Sequence, residues 1–322
     1  MKIIALEEHI TTPLYAEKEV VTPRRRQSMI DRSQRVGHDV TAELLNVSNT
    51  RIAAMNEAGI DFQILSMTMP GPQGLPADEA IAVARDANDR MADAVRSHPN
   101  RFAAFACLPT PDVAVSVKEL QRTVALGFKG TMINGHTNGE FLDDKKFWPI
   151  FEAAEGLDVP VYLHPRDIPA KAAFYFDGFP EIATAACGFT IDTTIHFMRM
   201  VFGGVFEAFP KLKFLLGHLG EGLPFVLDRI EDHTALATKR RGFKKTFAET
   251  MLENVWVTTS GNFSPPALRC TVDVLGIDRV MFSVDWPYES NKVGMAFFNK
   301  LDMAPADREK LAHGTAERLL KL

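Results

Sequence analysis

The sequence has few cysteines and no long apolar run, and each absence excludes a class of protein. Its 322 residues include three cysteines, an odd number without Cys-x-x-Cys spacing, at Cys107, Cys187 and Cys270. This count argues against a disulfide framework, so we expect reduced thiols in a cytoplasmic protein. No stretch of about 18 uninterrupted apolar residues is present, so no membrane span is expected. The apolar run at the N-terminus is too short for a secretory signal and ends in charged residues.

An excess of positive charge is also missing. The chain carries 36 Lys and Arg residues against 41 Asp and Glu residues, which gives a formal net charge of −5. No global basic field attracts nucleic acid or anionic lipid, so we expect neither as a partner. The sequence has no Gly-x-Gly-x-x-Gly motif after the first apolar segment and no P-loop, which weakens the nucleotide-binding folds. Because no Pro-, Ser- or Gly-rich linker divides it, we expect a single domain over residues 1–322.

Short, almost continuously apolar segments recur along the chain and alternate with helical patterns. Such segments are typical of strands covered on both faces, as in parallel sheets. Eight are found: Lys2–Leu6, Phe62–Met67, Phe102–Leu108, Phe128–Ile133, Val159–Leu163, Leu212–Gly217, Val255–Thr259 and Val280–Val284. Eight strand–helix units favour an α/β fold closed into a (β/α)8 barrel of the TIM type, with a doubly wound open sheet as the alternative.

Three connections are longer than a plain strand–helix unit needs. They cover about residues 10–48, 165–192 and 239–245, and the first contains the basic run 24–26 as well as Arg32. Long connections in a compact domain are usually lids or binding loops. We therefore expect these three to shape the substrate pocket or to contact another subunit, with their basic residues on solvated or interface faces.

Rare polar residues stand at the ends of most of the predicted strands. In a barrel the carboxyl ends of all strands meet at one face, where active sites lie. The residues concerned are Glu7 and His9 on the first strand, Asn134 on the fourth, His164 and Arg166 on the fifth, His218 and Glu221 on the sixth, and Asp285 on the eighth. Segments from opposite ends of the chain are thus expected to form one site.

Two histidines and two carboxylates of this set suit a divalent cation. Glu7 and His9 are two residues apart on a strand, so both point to one face, whereas Glu8 points to the other and is expected to bridge neighbouring loops. With His164 and Asp285 they supply four ligands of mixed nitrogen and oxygen character, which suits Zn²⁺ or Mn²⁺. A single histidine at a strand end is more often structural, so the prediction rests on the joint set.

The remaining histidines lack this support. They are His38, His98, His136, His196, His233 and His313. We expect His136 to reach the pocket, His196 to lie in the hydrophobic core, and the others to lie at the surface.

Five short segments combine the residues named above into recognisable motifs. They are Ala5–His9, Tyr162–Arg166, Leu216–Glu221, Thr258–Phe263 and Phe282–Pro287. Together they resemble the amidohydrolase superfamily and, more narrowly, its aminocarboxymuconate-semialdehyde decarboxylase branch, where the similarity to γ-resorcylate and 2,3-dihydroxybenzoate decarboxylases is greatest. The sequence departs from these decarboxylases in the first long loop and near Cys187–Phe189, where they have a tryptophan.

The resemblance implies a barrel with one metal ion. It implies Glu7, His9, His164 and Asp285 as the ligands, with His218 beside them and Glu221 as its hydrogen-bond partner. Many superfamily members hold two metals through a modified lysine at the end of the fourth strand. This chain has no lysine there, so a mononuclear site is implied.

Two further residues are assigned by the resemblance alone. Asn134 matches an asparagine that lies near the substrate in the decarboxylases. Arg229 matches an arginine that reaches the site of a neighbouring subunit. The resemblance therefore implies a homodimer or a homotetramer.

The implied reaction is the non-oxidative decarboxylation of a hydroxybenzoate-like or related unsaturated carboxylic acid. Asp285 would protonate the ring carbon that bears the carboxylate, and the C–C bond would then break to release CO₂. Arg166 or a loop arginine would orient a carboxylate. The same ligands also suit a hydrolase (a lactonase or amidohydrolase) or a hydratase, in which Asp285 acts as a base. A non-catalytic metal-binding protein is the third possibility, but it would need a lost ligand, and none is missing.

Overall fold

The computed structural model describes residues 1–18 and 23–322, and its centre is a ring of short strands. These are β1 (Ile4–Ile10), β2 (Phe62–Met67), β3 (Phe102–Ala104), β4 (Ala106–Cys107), β5 (Thr131–Asn134), β6 (Val161–His164), β7 (Phe214–Leu216), β8 (Val255–Thr258) and β9 (Val280–Met281). Hydrogen-bonded neighbours follow chain order from β1 to β3 and from β4 to β9, and each of these pairs is parallel. The predicted (β/α)8 barrel is confirmed.

The ring has two irregular seams. The third barrel strand is interrupted at Phe105, so it appears as β3 and β4, but the Phe105 N–H still donates to a carbonyl of β2 at 2.9 Å. At the second seam, the His9 N–H donates to the carbonyl of Trp286 at 2.6 Å, and the Glu7 N–H donates to Ser283 Oγ at 2.7 Å. These bonds join β1 to the segment after β9 and close the barrel.

Helices surround the strands. Their bounds are α1 (Pro13–Lys18), α2 (Pro23–Val36), α3 (Val40–Leu44), α4 (Asn49–Ala58), α5 (Ala77–Ser97), α6 (Val113–Ala125), α7 (Trp148–Gly156), α8 (Gly188–Gly203), α9 (Val205–Ala208), α10 (His218–Glu221), α11 (Leu223–Arg240), α12 (Phe247–Asn254), α13 (Pro265–Leu275), α14 (Asn291–Asn299), α15 (Pro305–Glu309) and α16 (Thr315–Leu320). Across the described ranges, no helix combines the length and the apolar character that crossing a membrane requires.

Strand β1 differs from its prediction in a way that matters for the site. The apolar pattern ended at Leu6, but the strand continues to Ile10 and contains Glu7 and His9, as their expected placement on this strand requires. Polar residues are tolerated in a fully buried strand because their side chains find partners there. The register between β1 and β2 shifts between Ala5 and Glu8. Such a bulge changes the direction of the side chains that follow.

The first long connection forms a cap beside the end of β9. Its helix α2 is tied to the segment after β9 by Arg35, which donates to both carboxylate oxygens of Glu289 at 2.7 and 2.8 Å. His38 stacks on Trp286 with ring centroids 4.2 Å apart and donates to the carbonyl of Pro287 at 2.8 Å. Surface placement was expected for His38, and the structure shows it half-buried, with its ring packed against the neighbouring loop.

The structure also describes the second and third long connections. The second, around 165–187, contains the 3-10 turns Ala170–Phe176 and Pro180–Ala183 before α8 begins. The third covers the end of α11, and Lys245 there pairs with Glu253 at 2.8 Å. The side chains of Arg24 and Arg25 in the basic run of the first connection lie outside the described residues.

Candidate metal centre and active site

Four side chains that can bind a cation converge at the carboxyl end of the barrel. They are Glu7, His9, His164 and Asp285, and one ligand atom from each lies within 4.8 Å of the others. His164 Nε2 is 3.2 Å from Glu7 Oε1, and His9 Nε2 is 3.1 Å from Asp285 Oδ1. The predicted metal group is thus assembled from β1, β6 and the segment after β9.

The atoms of this group that face one another fit a cation. Within the described ranges 1–18 and 23–322, Glu7 Oε1, His9 Nε2 and Asp285 Oδ1 are buried and have no hydrogen-bond partner. Buried polar atoms without partners are rare, because each one forfeits its interaction with water. Two imidazole nitrogens and two carboxylate oxygens are donors that Zn²⁺ and Mn²⁺ accept.

Neighbouring residues hold the two imidazole rings in orientation. The Nδ1 atom of His9 pairs with Ser66 Oγ at 3.2 Å, and His164 Nδ1 donates to the carbonyl of Pro165 at 2.7 Å. In both rings Nε2 is therefore the atom that faces the group. Metal-bound histidines typically have such a partner on the second ring nitrogen, which fixes the tautomer.

Glu7 is held in the same manner through its second oxygen. Tyr162 donates its hydroxyl to Glu7 Oε2, and Ser260 Oγ donates to the same oxygen at 2.7 Å. Thr258 bridges these two donors, at 2.7 Å from each. The bonds leave Oε1 directed at the histidines. Although burial raises the pKa of Glu7, the charges of His218, His164 and His9 hold it well below its ordinary value.

Glu8 points away from the group, as predicted, and ties β1 to the loop that carries Asp285. It accepts from the backbone N–H of Val284 at 3.0 Å and of Trp286 at 3.2 Å. The buried guanidinium of Arg51 lies close enough to stabilise its charge. Burial nevertheless raises the pKa of Glu8 to about 8.

His218 lies beside the metal group on a left-handed turn. Residues 218–222 all have positive φ, which is 50° at His218 and 54° at Glu221. This conformation costs non-glycine residues roughly 1–2 kcal/mol each and is typical of functional sites. It lets Glu221 Oε1 accept from His218 Nδ1 at 2.6 Å, while His218 Nε2 lies 3.5 Å from Glu7 Oε1 and 4.0 Å from Asp285 Oδ2.

The pKa values of His218 and Asp285 are both raised, but burial acts in opposite directions on the two groups. Burial lowers the pKa of His218, but the carboxylates of Glu221 and Glu7 outweigh it and raise the pKa to about 10. Burial and the charge of Glu7 raise the pKa of Asp285 to about 8.

A cavity of about 500 Å³ opens onto the group. Its walls include His164, His218, Asp285 and Arg166, together with residues of α2 and of the second connection. Arg166 donates to the carbonyl of His136 at 2.8 Å. The prediction that His136 reaches the pocket is wrong, because its ring lies outside the cavity wall and bonds to the carbonyl of Asp167 at 3.1 Å.

Two predicted substrate residues do not line this cavity. Asn134 is buried at the end of β5 and donates to the carbonyl of Met67 at 3.3 Å, and its Oδ1 lacks a partner within the described ranges. Arg229 is exposed on α11. The expectation for His196 is confirmed: it lies in the core, where its Nε2 accepts from the Leu142 N–H at 2.8 Å.

Comparison with known families agrees with this geometry. The profile of the amidohydrolase family matches residues 38–322. The chain belongs to the amidohydrolase family. The family membership predicted from the five motifs is confirmed.

The relatives of this amidohydrolase include decarboxylases. The γ-resorcylate decarboxylase of Rhizobium radiobacter is 36% identical over 99% of this chain and 98% of its own length. A structure of dihydroxybenzoic acid decarboxylase from Polaromonas sp. JS666, with bound manganese and 2-nitroresorcinol, has a TM-score of 0.89 and 34% identity over 100% of this chain and 97% of that one. The manganese complex of 5-carboxyvanillate decarboxylase from Novosphingobium aromaticivorans has a TM-score of 0.90 and 31% identity over 100% and 96%. Full-length similarity to these enzymes supports a carboxy-lyase with one divalent metal site.

Sequence reasoning missed the residues that orient the ligands of this amidohydrolase. Tyr162 precedes His164 by two positions on β6, so strand alternation was a usable signal for its direction. Ser260 and Ser66 gave no comparable signal, since a serine at a strand end is common. Tyr288 was missed as well; its ring meets that of His9 at 5.6 Å and lies in the cavity wall.

Proposed function

We propose that this protein catalyses the metal-dependent, non-oxidative decarboxylation of a hydroxybenzoate-like or related unsaturated carboxylic acid, and that the whole chain, residues 1–322, acts as one catalytic barrel. The observation that carries the proposal is the group Glu7, His9, His164 and Asp285 at the floor of an arginine-lined cavity. These four residues would hold the metal, which when bound supplies a Lewis acid for a substrate carboxylate and hydroxyl. The decarboxylase relatives favour this reaction over hydrolysis or hydration.

Asp285 is the proposed proton donor. Its carboxyl lies in the cavity wall at the metal group, where it can deliver a proton to the ring carbon that bears the substrate carboxylate. The C–C bond then breaks, its electrons restore the aromatic ring, and the carboxylate leaves as CO₂. Asp285 is left as a carboxylate and regains a proton for the next cycle. Proton transfer by a positioned carboxyl typically contributes about 10²–10⁴-fold to the rate.

His218 and Glu221 form the proposed proton relay. His218 Nε2 lies 4.0 Å from Asp285 Oδ2, and Glu221 holds the opposite nitrogen of the ring at 2.6 Å. The imidazole is therefore fixed between a carboxylate partner and the cavity, where it can return a proton to Asp285 or bond to a substrate hydroxyl. The constrained turn 218–222 keeps this alignment.

The three proposed substrate contacts differ in their position relative to the cavity. Arg166 lines the cavity and is the arginine assigned to orient the substrate carboxylate. Asn134 is buried outside the cavity lining, where its amide donates to the carbonyl of Met67, so a contact with substrate would require it to turn toward the cavity. Arg229 is exposed, so it could reach a substrate only in another copy of the chain, and its role depends on a homodimer or homotetramer.

The test is CO₂ release from a panel of hydroxybenzoates by the Mn²⁺-loaded protein, with lactones as the competing substrates. We expect CO₂ from at least one aromatic acid and a loss of about 10²–10⁴-fold in kcat for Asp285→Asn. That variant should keep most of its metal, which elemental analysis would measure. The matched control is Asp273→Asn, an exposed carboxylate on α13 that does not line the cavity and should keep near-normal activity. Lactone turnover without CO₂ from any aromatic acid would contradict the proposal.

A further inference from the structure

Arg51 is a fully buried cation beside strand β1, and neither the proposed reaction nor the metal group uses it. Its side chain lies on α4, in the connection between β1 and β2. Burial lowers the pKa of Arg51 to about 10, against the opposing charges of Glu8 and Glu43, so the guanidinium keeps its proton at neutral pH. Replacing a buried ion pair by apolar side chains is often neutral or stabilising, so stability alone does not account for this cation.

The guanidinium of Arg51 bonds to the main chain of a residue of the metal group. Its Nη2 atom donates to the carbonyl oxygen of His9 at 2.6 Å, a short, charge-assisted bond. The N–H of His9 donates across the barrel seam to the carbonyl of Trp286, also at 2.6 Å. Ser66 Oγ pairs with Nδ1 of the His9 ring at 3.2 Å. The place of Nε2, 3.1 Å from Asp285 Oδ1, therefore depends on the main-chain bonds of His9 as well as on the bond to its ring.

Arg51 also acts on the segment that carries Asp285, through its charge. Glu8 is fully buried and accepts from the N–H groups of Val284 at 3.0 Å and Trp286 at 3.2 Å, the residues on either side of Asp285. The positive charge of Arg51 stabilises the carboxylate of Glu8 in these buried surroundings. The same cation thus supports the main chain at His9 directly and the main chain around Asp285 through Glu8.

We propose that Arg51 is a positioning residue of the metal group, which fixes the main chain of His9 by its hydrogen bond and the segment of Asp285 through the charge of Glu8. The inference rests on the proposed function, because it takes the four-residue group as the metal site. Arg51 does not line the cavity among the described residues, so its loss should change metal affinity and ligand geometry rather than a substrate contact. Residues that orient a ligand typically contribute about 10–100-fold to metal affinity.

Competition for Mn²⁺ between the protein and a fluorescent chelator tests this assignment. Arg51→Met removes both the charge and the donors, and we expect its Kd for Mn²⁺ to be about 10–100-fold weaker than that of wild type. Arg51→Lys keeps the charge on a shorter side chain without the planar donors, so its Kd should fall between the two. The absorption spectrum of the Co²⁺-loaded protein reports on ligand geometry, and we expect it to change in Arg51→Met.

The matched control is Arg101→Met. Arg101 also donates to main-chain carbonyls, that of Asp61 at 2.8 Å and that of Ile60 at 3.2 Å. These carbonyls precede β2, at the end of the barrel opposite the metal group. Arg101→Met therefore loses comparable bonds, but it should keep the Mn²⁺ affinity and the Co²⁺ spectrum of wild type.

Unfolding of the metal-free proteins in urea separates positioning from stability. If Arg51→Met loses stability but binds Mn²⁺ as tightly as wild type, with an unchanged Co²⁺ spectrum, the inference is overturned. Wild-type affinity in Arg51→Lys would overturn it as well, even if Arg51→Met does not fold. Failure of CO₂ release from every aromatic acid, with the differences in Mn²⁺ affinity intact, would instead refute only the proposed reaction. Wild type that binds no Mn²⁺ would overturn both.

Discussion

The hydroxyl of Ser260 offers a direct test of how the metal group is organised. Ser260 is fully buried, and its Oγ donates to Glu7 Oε2 at 2.7 Å, on the side of the carboxylate that faces away from the histidines. We predict that Ser260→Ala weakens metal binding although it removes no ligand. The variant frees the carboxylate of Glu7 to rotate, so part of the ligand geometry must be restored by the metal itself.

The expected loss of metal affinity depends on which hydrogen bonds still hold the Glu7 carboxylate in the variant. Loss of a residue that orients a ligand typically costs about 10–100-fold in metal affinity, or about 1.4–2.8 kcal/mol. In Ser260→Ala, the hydroxyl of Tyr162 still holds the same oxygen, and Thr258 Oγ1 lies 3.5 Å from it. We therefore expect the lower end of the range, about a tenfold weaker Kd for Mn²⁺. Tyr162→Phe combined with Ser260→Ala removes two of these donors and should approach the upper end.

The assay is competition for Mn²⁺ between the protein and a fluorescent chelator, with Ser116→Ala as the matched control. Ser116 is equally buried and loses a similar hydrogen bond, to the carbonyl of Asp112 at 2.9 Å, but it lies on α6 away from the group. Both variants should lose about 1 kcal/mol of metal-free stability, whereas only Ser260→Ala should lose affinity. Equal Mn²⁺ affinities for wild type and both variants would refute the orienting role.

Two further predictions concern the cap and the core. Arg35→Met removes the ion pair with Glu289. Because this pair is partly exposed, we expect a stability loss of about 1 kcal/mol or less, but a several-fold fall in kcat/KM. A lower Tm with unchanged kinetics would contradict a positioning role. Burial, with His136 and Arg199, lowers the pKa of His196 to about 3, so below pH 6.5 the unfolded chain takes up a proton that the folded chain refuses. The free energy of unfolding should therefore fall as the pH drops from 6.5 toward 3, by up to about 1.4 kcal/mol per pH unit. His196→Gln should make this pH dependence weaker. The control variant His233→Gln, at an exposed histidine, should leave it unchanged.

The fold and the metal group were predictable because they follow from periodicity and topology. Continuous apolar segments indicate parallel strands, and parallel strands in a barrel present their carboxyl ends together. His164 and Asp285 were therefore expected beside Glu7 despite their distance along the chain. The spacing of Glu7 and His9 also predicted a common face, and the structure confirms it.

The remaining features depend on backbone and loop geometry that a one-dimensional pattern does not encode. Residues 218–222 all have positive φ, and three of them are not glycine. Because non-glycine residues rarely adopt this conformation, their sequence does not predict it. Tertiary contacts must hold the turn in place. The break at Phe105 and the longer β1 arise from hydrogen bonds across the barrel. The packing of α2 against Glu289 and Tyr288 is a contact between distant loops, and no sequence period predicts such a contact.

The run Glu7-Glu8-His9 shows why adjacent charged residues occupy a fully buried strand. Glu7 and His9 face the metal group, while Glu8 faces the opposite way and accepts from Val284 and Trp286, the residues on either side of Asp285. One strand thus contributes two of the proposed ligands and also positions the segment that carries a third. Because side chains alternate along a strand, a slip of one residue would exchange these roles and leave both sets of partners unsatisfied. The geometry of the site therefore depends on the register of β1 as much as on the identity of its ligands.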